Sequence, residues 1–479
     1  MNRFRIPALI SGLLITVALN AQYSGFDLSK YKLPDIKLNR LDLNLNMDHI
    51  KDNYSTEITS IAKYRSISNT LDGTLNLDYF HFRNTDRYQG NLEIILDIEP
   101  SLFNMESNGY KTRNNNTVGS LTINSANRFF NTNQYFFEAD PSLILSTGTT
   151  RRYHDYSTTQ SEKDNSDDFT TTVSLPVSVG HGRIEPIEDA RLAIYILEEL
   201  NKAGRISALP SENVVLEMAR VISRIRNKRF FDTRIRKITE LQVIDSFLVA
   251  NNVISSHDIN YFAVLNDNWD YAGGPVRKSG FAVSAGINDN LTLDKSRQET
   301  IITGNSTVKN NSDNNKYDIG GFLRIVYEKP VNLYWQNSFY IETTLNREFV
   351  RDPNDKASPV YNYETNMFRT DITYSWQFLP NSRTSVGLSL SGYYQYFYGD
   401  KNSGTSNGNY HQTTNNIGVY PALNIYYYIS PQMRIQFTPS FTINQSGSSS
   451  KYDNGDPDTK AAMHIYHHDI SVHFIYSFF

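Results

Sequence analysis

Between Tyr317 and Tyr327 the chain alternates. Tyr317, Ile319, Leu323, Ile325 and Tyr327 fall on one face of an extended strand, and Asp318, Phe322, Arg324 and Val326 fall on the other. The same period of two recurs at Leu92, Ile94, Leu96 and Ile98, at Trp335, Phe339, Ile341 and Leu345, at Val386, Leu388, Leu390, Tyr394 and Tyr396, and at Met433, Ile435, Phe437, Phe441 and Ile443. Strands of a soluble sandwich average about five or six residues. These run about ten or more, the length a tilted strand needs to cross a bilayer. Tyr317 and Tyr327, at the ends of one apolar face, suit an aromatic girdle at the membrane interface.

The connections alternate too. From Ser279 onward, short joints at Glu328–Asn332, Leu379–Ser382 and Ile429–Gln432 separate long Asn-, Ser-, Gly- and Asp-rich ones at Asp294–Asn314, Val350–Val360, Gly399–Gln412 and Gly447–Met463. Upstream, long loops are expected at Asn104–Thr117 and Ser157–Asp168, a shorter outer loop near Asn69–Gly73, and tight turns near Asn84–Arg87 and Asn131–Gln134. Short periplasmic turns and long extracellular loops are the rhythm of a transmembrane up-and-down barrel. The count predicts an all-β barrel of about fourteen antiparallel strands, about six in residues 22–183 and about eight in 275–479. With both halves even, the chain ends and the segment between them fall on the periplasmic side. Prolines inside the expected strands, Pro100, Pro141, Pro421 and Pro439, are read as bulges that bend the wall.

In residues 184–274 the period changes to about 3.6, giving four helices at Pro186–Ala203, Ser211–Asn227, Thr233–Asn251 and Ser256–Tyr271. Gly204 ends the first, Ser211 caps the second, and Ser255 with Asp258 makes a capping-box pattern at the fourth. Each helix has one apolar side, so the four are expected to pack as a periplasmic bundle inserted between the two parts of the barrel.

Arg3 and Arg5 precede an apolar stretch from Ile6 to Leu19 and then Asn20-Ala21-Gln22, the layout of a secretory signal over residues 1–21. The Ala-Gln ending resembles signals of Bacteroidetes-type Gram-negative bacteria. At the other end, Phe474-Ile475-Tyr476-Ser477-Phe478-Phe479 resembles the terminal aromatic signal of outer-membrane barrels. The resemblance implies the barrel-insertion machinery as a partner, outer-membrane lipid as the surroundings, and the outer membrane as the location.

Composition narrows the chemistry. Across 479 residues there is no cysteine, which removes disulfides, thiolate metal sites, thiol catalysis and a lipidated N-terminus. Lys and Arg number 46 against 50 Asp and Glu, so no nucleic-acid footprint is present. Tyr and Phe supply most of the 13% aromatic content, while a mean hydropathy of −0.48 argues against a helical membrane protein.

Three groups of residues carry candidate function. Glu93, Asp97, Glu99, Arg324, Glu342 and Arg434 are predicted to face the barrel lumen, lining a pore or pairing across a plugged one. Arg220, Arg224, Arg226, Lys228, Arg229, Arg234, Arg236 and Lys237 form a basic run broken by Asp232. It suits a periplasmic protein, a lipid headgroup or an acidic cell-wall polymer, or else pairs with Glu198, Glu199, Glu212 and Glu217 inside the bundle. Ser471 and His473 share a strand face and are the single hydrolase candidate, and His467 with His468 point to opposite faces and cannot chelate from a regular strand. No catalytic residue, metal or cofactor is expected. The leading expectation is a channel, transporter or binding protein, followed by a non-conducting envelope scaffold and then an outer-membrane hydrolase.

Overall fold

A computed structural model of the chain describes residues 26–58, 62–107, 110–157, 160–206, 210–227, 233–271, 277–303, 307–351, 363–402, 409–430, 433–452 and 458–476. The expected signal at residues 1–21 and the terminal Phe479 lie outside them.

Sixteen strands form one antiparallel sheet among the described residues. Eight precede the helices: β1 Ile36–Ile58, β2 Ala62–Thr85, β3 Tyr88–Ser107, β4 Tyr110–Phe130, β5 Tyr135–Ala139, β6 Ser142–Ser157, β7 Gln160–Ser174 and β8 Val177–Pro186. Eight follow: β9 Lys278–Ile302, β10 Val308–Pro330, β11 Trp335–Arg351, β12 Tyr363–Phe378, β13 Thr384–Asn402, β14 Asn409–Ser430, β15 Met433–Tyr452 and β16 Thr459–Tyr476.

The count is sixteen rather than about fourteen, and proline is the reason. β5 and β6 both pair with β4, and one register runs through Asn127↔Ala139 and Asn124↔Ser142 across the break at Asp140-Pro141. β8 and β7 pair with β9 in the same way across Leu175-Pro176. Proline has no N–H to give the ladder, so each long strand is interrupted without being redirected. The gap is stitched by Asp140 N donating to Pro176 O at 3.0 Å, Ser125 N to Pro141 O at 3.0 Å, and Leu175 N to the Asp289 carboxylate at 3.2 Å.

The other prolines do not make bulges. Register passes straight through Pro100↔Thr117, Leu390↔Pro421 and Pro439↔Ile470, and the described shifts fall at Asp155/Ser157 and Tyr428/Ser430. Nor is Asn69–Gly73 a loop. It lies inside β2, where Gly73 leaves room for a proline ring, since a Cβ there would stand 3.2 Å from Pro100 Cγ.

The long polar joints are also corrected. β9 continues to Ile302 and β10 begins at Val308, with Asp294↔Asn314 and Thr300↔Val308 still paired. β13 with β14 and β15 with β16 extend in the same way into Gly399–Gln412 and Gly447–Met463, as far as Asn402↔Asn409 and Ser450↔Thr459. Here both faces are polar, so the apolar period that marks a strand in sequence vanishes while the backbone pairing persists. β1 is a further strand, with its amphipathic half before Ser55.

On the apolar face Leu323, Tyr327, Leu345, Ile372, Tyr374, Trp376, Leu388, Leu390 and Phe441 are exposed. Tyr317–Tyr327 spans about 33 Å along the strand, or about 25 Å of thickness once tilted by about 40°, which matches the apolar band of a membrane-spanning sheet. β1 and β16 are the two ends of the sheet and are not paired with each other.

The buried core lies in the helices: α1 Glu188–Lys202, α2 Glu212–Arg226, α3 Thr233–Ala250 and α4 Ile259–Asp270. Ile194, Leu197 and Leu200 of α1 pack with Met218 and Ile222 of α2, Ile244 and Leu248 of α3, and Tyr261 and Leu265 of α4. The fourth cap is Asp258 itself, whose carboxylate accepts from Tyr261 N at 3.0 Å, in place of Ser255. Leu28 and Tyr31, ahead of β1, join this core, as does Leu333 from the β10–β11 turn.

The turns at one end of the sheet converge on this bundle. Asn84, at the β2–β3 turn, holds the carbonyls of Leu33 and Pro34 just beyond Tyr31. Leu379 follows β12, and Tyr428 near the end of β14 meets Tyr271 with ring centroids 5.5 Å apart. Laid flat, the β2–β3 and β14–β15 turns would stand roughly 50 Å apart. The longest helix, 18 residues, is about 27 Å long. The sheet therefore curls around the bundle at its short-turn end.

Candidate functional site

Two regions bring polar chemistry together. The first is the polar face of the sheet. The ladder sets Arg128 opposite Glu138 and Glu138 opposite Ser178, and further round it sets Arg324 opposite Glu342, then Asp371, then Tyr393. Glu138 is almost fully buried and takes Arg128 Nε at 2.7 Å and Ser178 Oγ at 3.1 Å, with Arg324 at 3.9 Å. Arg324 Nε reaches Glu342 at 2.6 Å, and the Tyr340 hydroxyl donates to the same carboxylate at 2.9 Å. Arg369 grips Asp371 with two bonds of 2.6 Å and lies 4.8 Å over the Tyr393 ring. Tyr393 stacks on Tyr420 at 5.9 Å, and Tyr420 donates to Asn444 at 2.8 Å.

All six residues assigned to the lumen from sequence share this face. Arg324 and Glu342 are joined, Asp97 accepts from Asn76 at 2.7 Å, and Arg434 lies 5.6 Å over the Tyr426 ring. Glu93 sits opposite Asn124 and Glu99 opposite Val118, apart from the paired groups. Arg128, Glu138, Arg369, Asp371, Tyr393 and Tyr420 were missed. Their alternation with Phe137, Phe368, Ile372 and Tyr394 was the signal that could have found them.

The second region is the junction of helices and turns. Arg277, fully buried just before β9, donates Nη1 to Leu333 O at 2.5 Å, Nη2 to Asn332 O at 2.7 Å and Trp335 O at 2.8 Å, and Nε to Gln336 at 3.3 Å. Its backbone N–H is held by Glu188 at 3.0 Å, and Glu188 also takes Arg191. Burial foremost, then the charge of Arg191, pulls the Arg277 guanidinium down to about 10. Burial pushes the Glu188 carboxyl up, partly opposed by Arg191. Tyr195 of α1 donates to Leu379 O at 2.9 Å, and Arg383 takes both oxygens of Asp267 on α4 at 2.5 and 2.6 Å. Between them lies a cleft of about 340 Å3 lined by Tyr195, Glu198, Lys202, Asp267, Tyr334 and Arg383. Burial and then Glu198 raise the Tyr334 hydroxyl to about 12. Nothing in the sequence marked Arg277, because a lone arginine in a loop carries no pattern.

The basic run is partly drawn into the bundle. Arg226 pairs with Asp189 at 2.9 Å, Lys237 with Asp270 at 2.5 Å, and Arg220 with Glu217 one helical turn away. Glu199 and Glu212 are taken by Lys202 and Lys30 instead. Arg224 is exposed, Arg234 and Arg236 lie on α3, and Lys228 and Arg229 fall outside the described residues. Ser471 Oγ donates to Thr438 O at 3.3 Å.

No protein family and no curated protein matches the sequence. Among solved structures, the chain is similar to the translocator domain of the autotransporter NalP from Neisseria meningitidis, at 7% identity and a TM-score of 0.25, covering 82% of this chain and 89% of that one. It is also similar to the Pseudomonas putida toluene transporter TodX, at 8% identity and 0.29, over 87% and 89%, and to Pseudomonas aeruginosa OpdQ, at 6% and 0.19, over 91% and 98%. Scores that low leave the assignment to the chain's own faces. A long-stranded antiparallel sheet, apolar on one face over about one membrane thickness and polar on the other, has the character of a transmembrane β-barrel wall.

Proposed function

We propose that the chain is an outer-membrane channel or transporter whose polar face lines a water-filled lumen and whose helical bundle stands at the periplasmic mouth. Fourteen ladder positions, sixteen strands less the two proline interruptions, close into a wall of about 14 Å radius. Side chains alone do not fill that width, so a lumen remains for a solute or a plug. The observation that carries the reading is the bundle's attachment to the short turns through Arg277, Tyr195 and the Asp267–Arg383 pair. A bundle so placed controls access from the periplasm. The exposed Arg224 would then face an anionic periplasmic partner.

Conductance in planar bilayers tests this. The intact protein is expected to pass small, infrequent currents. Asp267→Ala with Arg383→Ala, which removes one attachment, is expected to raise open-channel current severalfold. Silence from both would favour the second reading, a non-conducting scaffold, whose support is the same firm attachment of the bundle.

A further inference from the structure

We propose that the free edges of β1 and β16 meet in one register, with Leu43 opposite Val472, and that the inner side of this seam carries two carboxylate–imidazole pairs, Asp42–His473 and Asp48–His467. The inference rests on the closed-barrel reading and goes beyond it by fixing which residues touch.

The register around the rest of the sheet sets the problem. A line straight across the ladder runs from Lys37 through Arg83, Gly90, Asn127, Ala139, Val177, Ile287, Gly321, Leu345, Phe368, Tyr396 and Asn415 to Gly447 and Ala462. Lys37 is one residue above the foot of β1, yet Ala462 is fourteen above the foot of β16 at Tyr476. The strands are therefore staggered, and closure must take up that stagger. Leu43 is six residues up from Lys37 and Val472 ten residues down from Ala462, so pairing them needs a stagger of sixteen residues.

Three constraints select that value. First, the stagger must be even, because an odd one turns the apolar face of one strand toward the polar face of the other. Second, a stagger of sixteen over fourteen ladder positions tilts the strands by about 38°, inside the range of roughly 35–45° for such walls.

Third, side chains agree on both faces. Leu41, Leu43 and Leu45 meet Phe474, Val472 and Ile470 on the apolar face. Asp42 and Asp48 meet His473 and His467 on the polar one, where an imidazole N–H can donate to a carboxylate. A stagger of fourteen sets Phe474 against Asn39 and His473 against Arg40, and eighteen sets Asp48 against Asp469.

The exposure of both strands fits a missing neighbour. Leu43 and Leu45 are 67% and 69% exposed, and Ile470 and Phe474 64% and 72%, at or above the upper end of the range on the same face of interior strands, from 43% at Ile372 to 64% at Val179.

The chain has no cysteine, so paired substitutions read the seam directly. In the full-length protein in outer-membrane vesicles, Leu43→Cys with Val472→Cys is expected to form an intramolecular disulfide under mild oxidation. Its yield should approach that of Leu43→Cys with Leu77→Cys, neighbours in the β1–β2 ladder and a check on folding. Leu43→Cys with Ile470→Cys or with Phe474→Cys should give several-fold less. A dominant crosslink at 470 or 474 overturns the register and the Asp–His pairs but keeps the closed barrel. No crosslink at any of the three, with the Leu77 control formed, shows that the edges do not meet, and the closed barrel falls with the seam.

Discussion

Arg277→Ala is expected to lower the stability of the junction between bundle and sheet by roughly 3–5 kcal/mol, among the largest single-residue losses in the molecule. The guanidinium is fully buried and serves four acceptors, the carbonyls of Asn332, Leu333 and Trp335 and the Gln336 side chain. Truncation strands those acceptors away from water, and that desolvation costs more than the hydrogen bonds are worth net of solvation. Arg277→Lys should recover little, because an ammonium cannot present the planar fork that spans three carbonyls. Thermal melting followed by far-UV circular dichroism reads the effect. The variant should show a helical transition separated from, and well below, that of the sheet. A single transition at the original temperature would mean the bundle is held by other contacts.

Leu390→Arg is expected to cost about 2–4 kcal/mol of folding into a bilayer, while Ser391→Arg one residue on should cost little. Leu390 is half exposed on the apolar face, six residues above Thr384 at the foot of β13 and inside the band, where a charge has only hydrocarbon around it. Ser391 sits opposite Thr373 and Tyr420 on the polar face. Urea titration of the protein folded into phosphatidylcholine vesicles compares the two. Equal losses would mean that the faces are not the ones assigned.

What could be read in the sequence was whatever leaves a periodic trace. The apolar alternation at Leu323, Ile341, Leu388 and Phe437 gave the wall, and the helical spacing of Ile194, Leu197, Met218 and Val221 lies in helices whose ends the structure shifts by at most three residues. Where the trace fades, the reading fades with it. Asp294–Asn314 is paired strand over most of its length but polar on both faces, and Asn69–Gly73 has the composition of a turn while Gly73 makes room for Pro100. Pro141 and Pro176 split two strands in a way that no local rule separates from Pro421 and Pro439, which split none. The amphipathic half of β1 was legible and overlooked, since Leu41, Leu43, Leu45 and Met47 alternate with Asp42, Asn44 and Asn46. The site was less legible. The sharing of one face by Arg324 and Glu342 follows from parity, but the company of Glu138, Arg128 and Asp371 depends on which strands become neighbours, and that is decided far along the chain.

Single cysteines at each position from Ile319 to Val326, labelled with a fluorophore in vesicles, test the central claim most directly. Residues 319, 321, 323 and 325 should be quenched by a lipid-soluble quencher and shielded from iodide, and residues 320, 322, 324 and 326 should show the reverse. A profile that does not alternate, with iodide reaching both sets alike, would contradict a wall that has hydrocarbon on one side and water on the other.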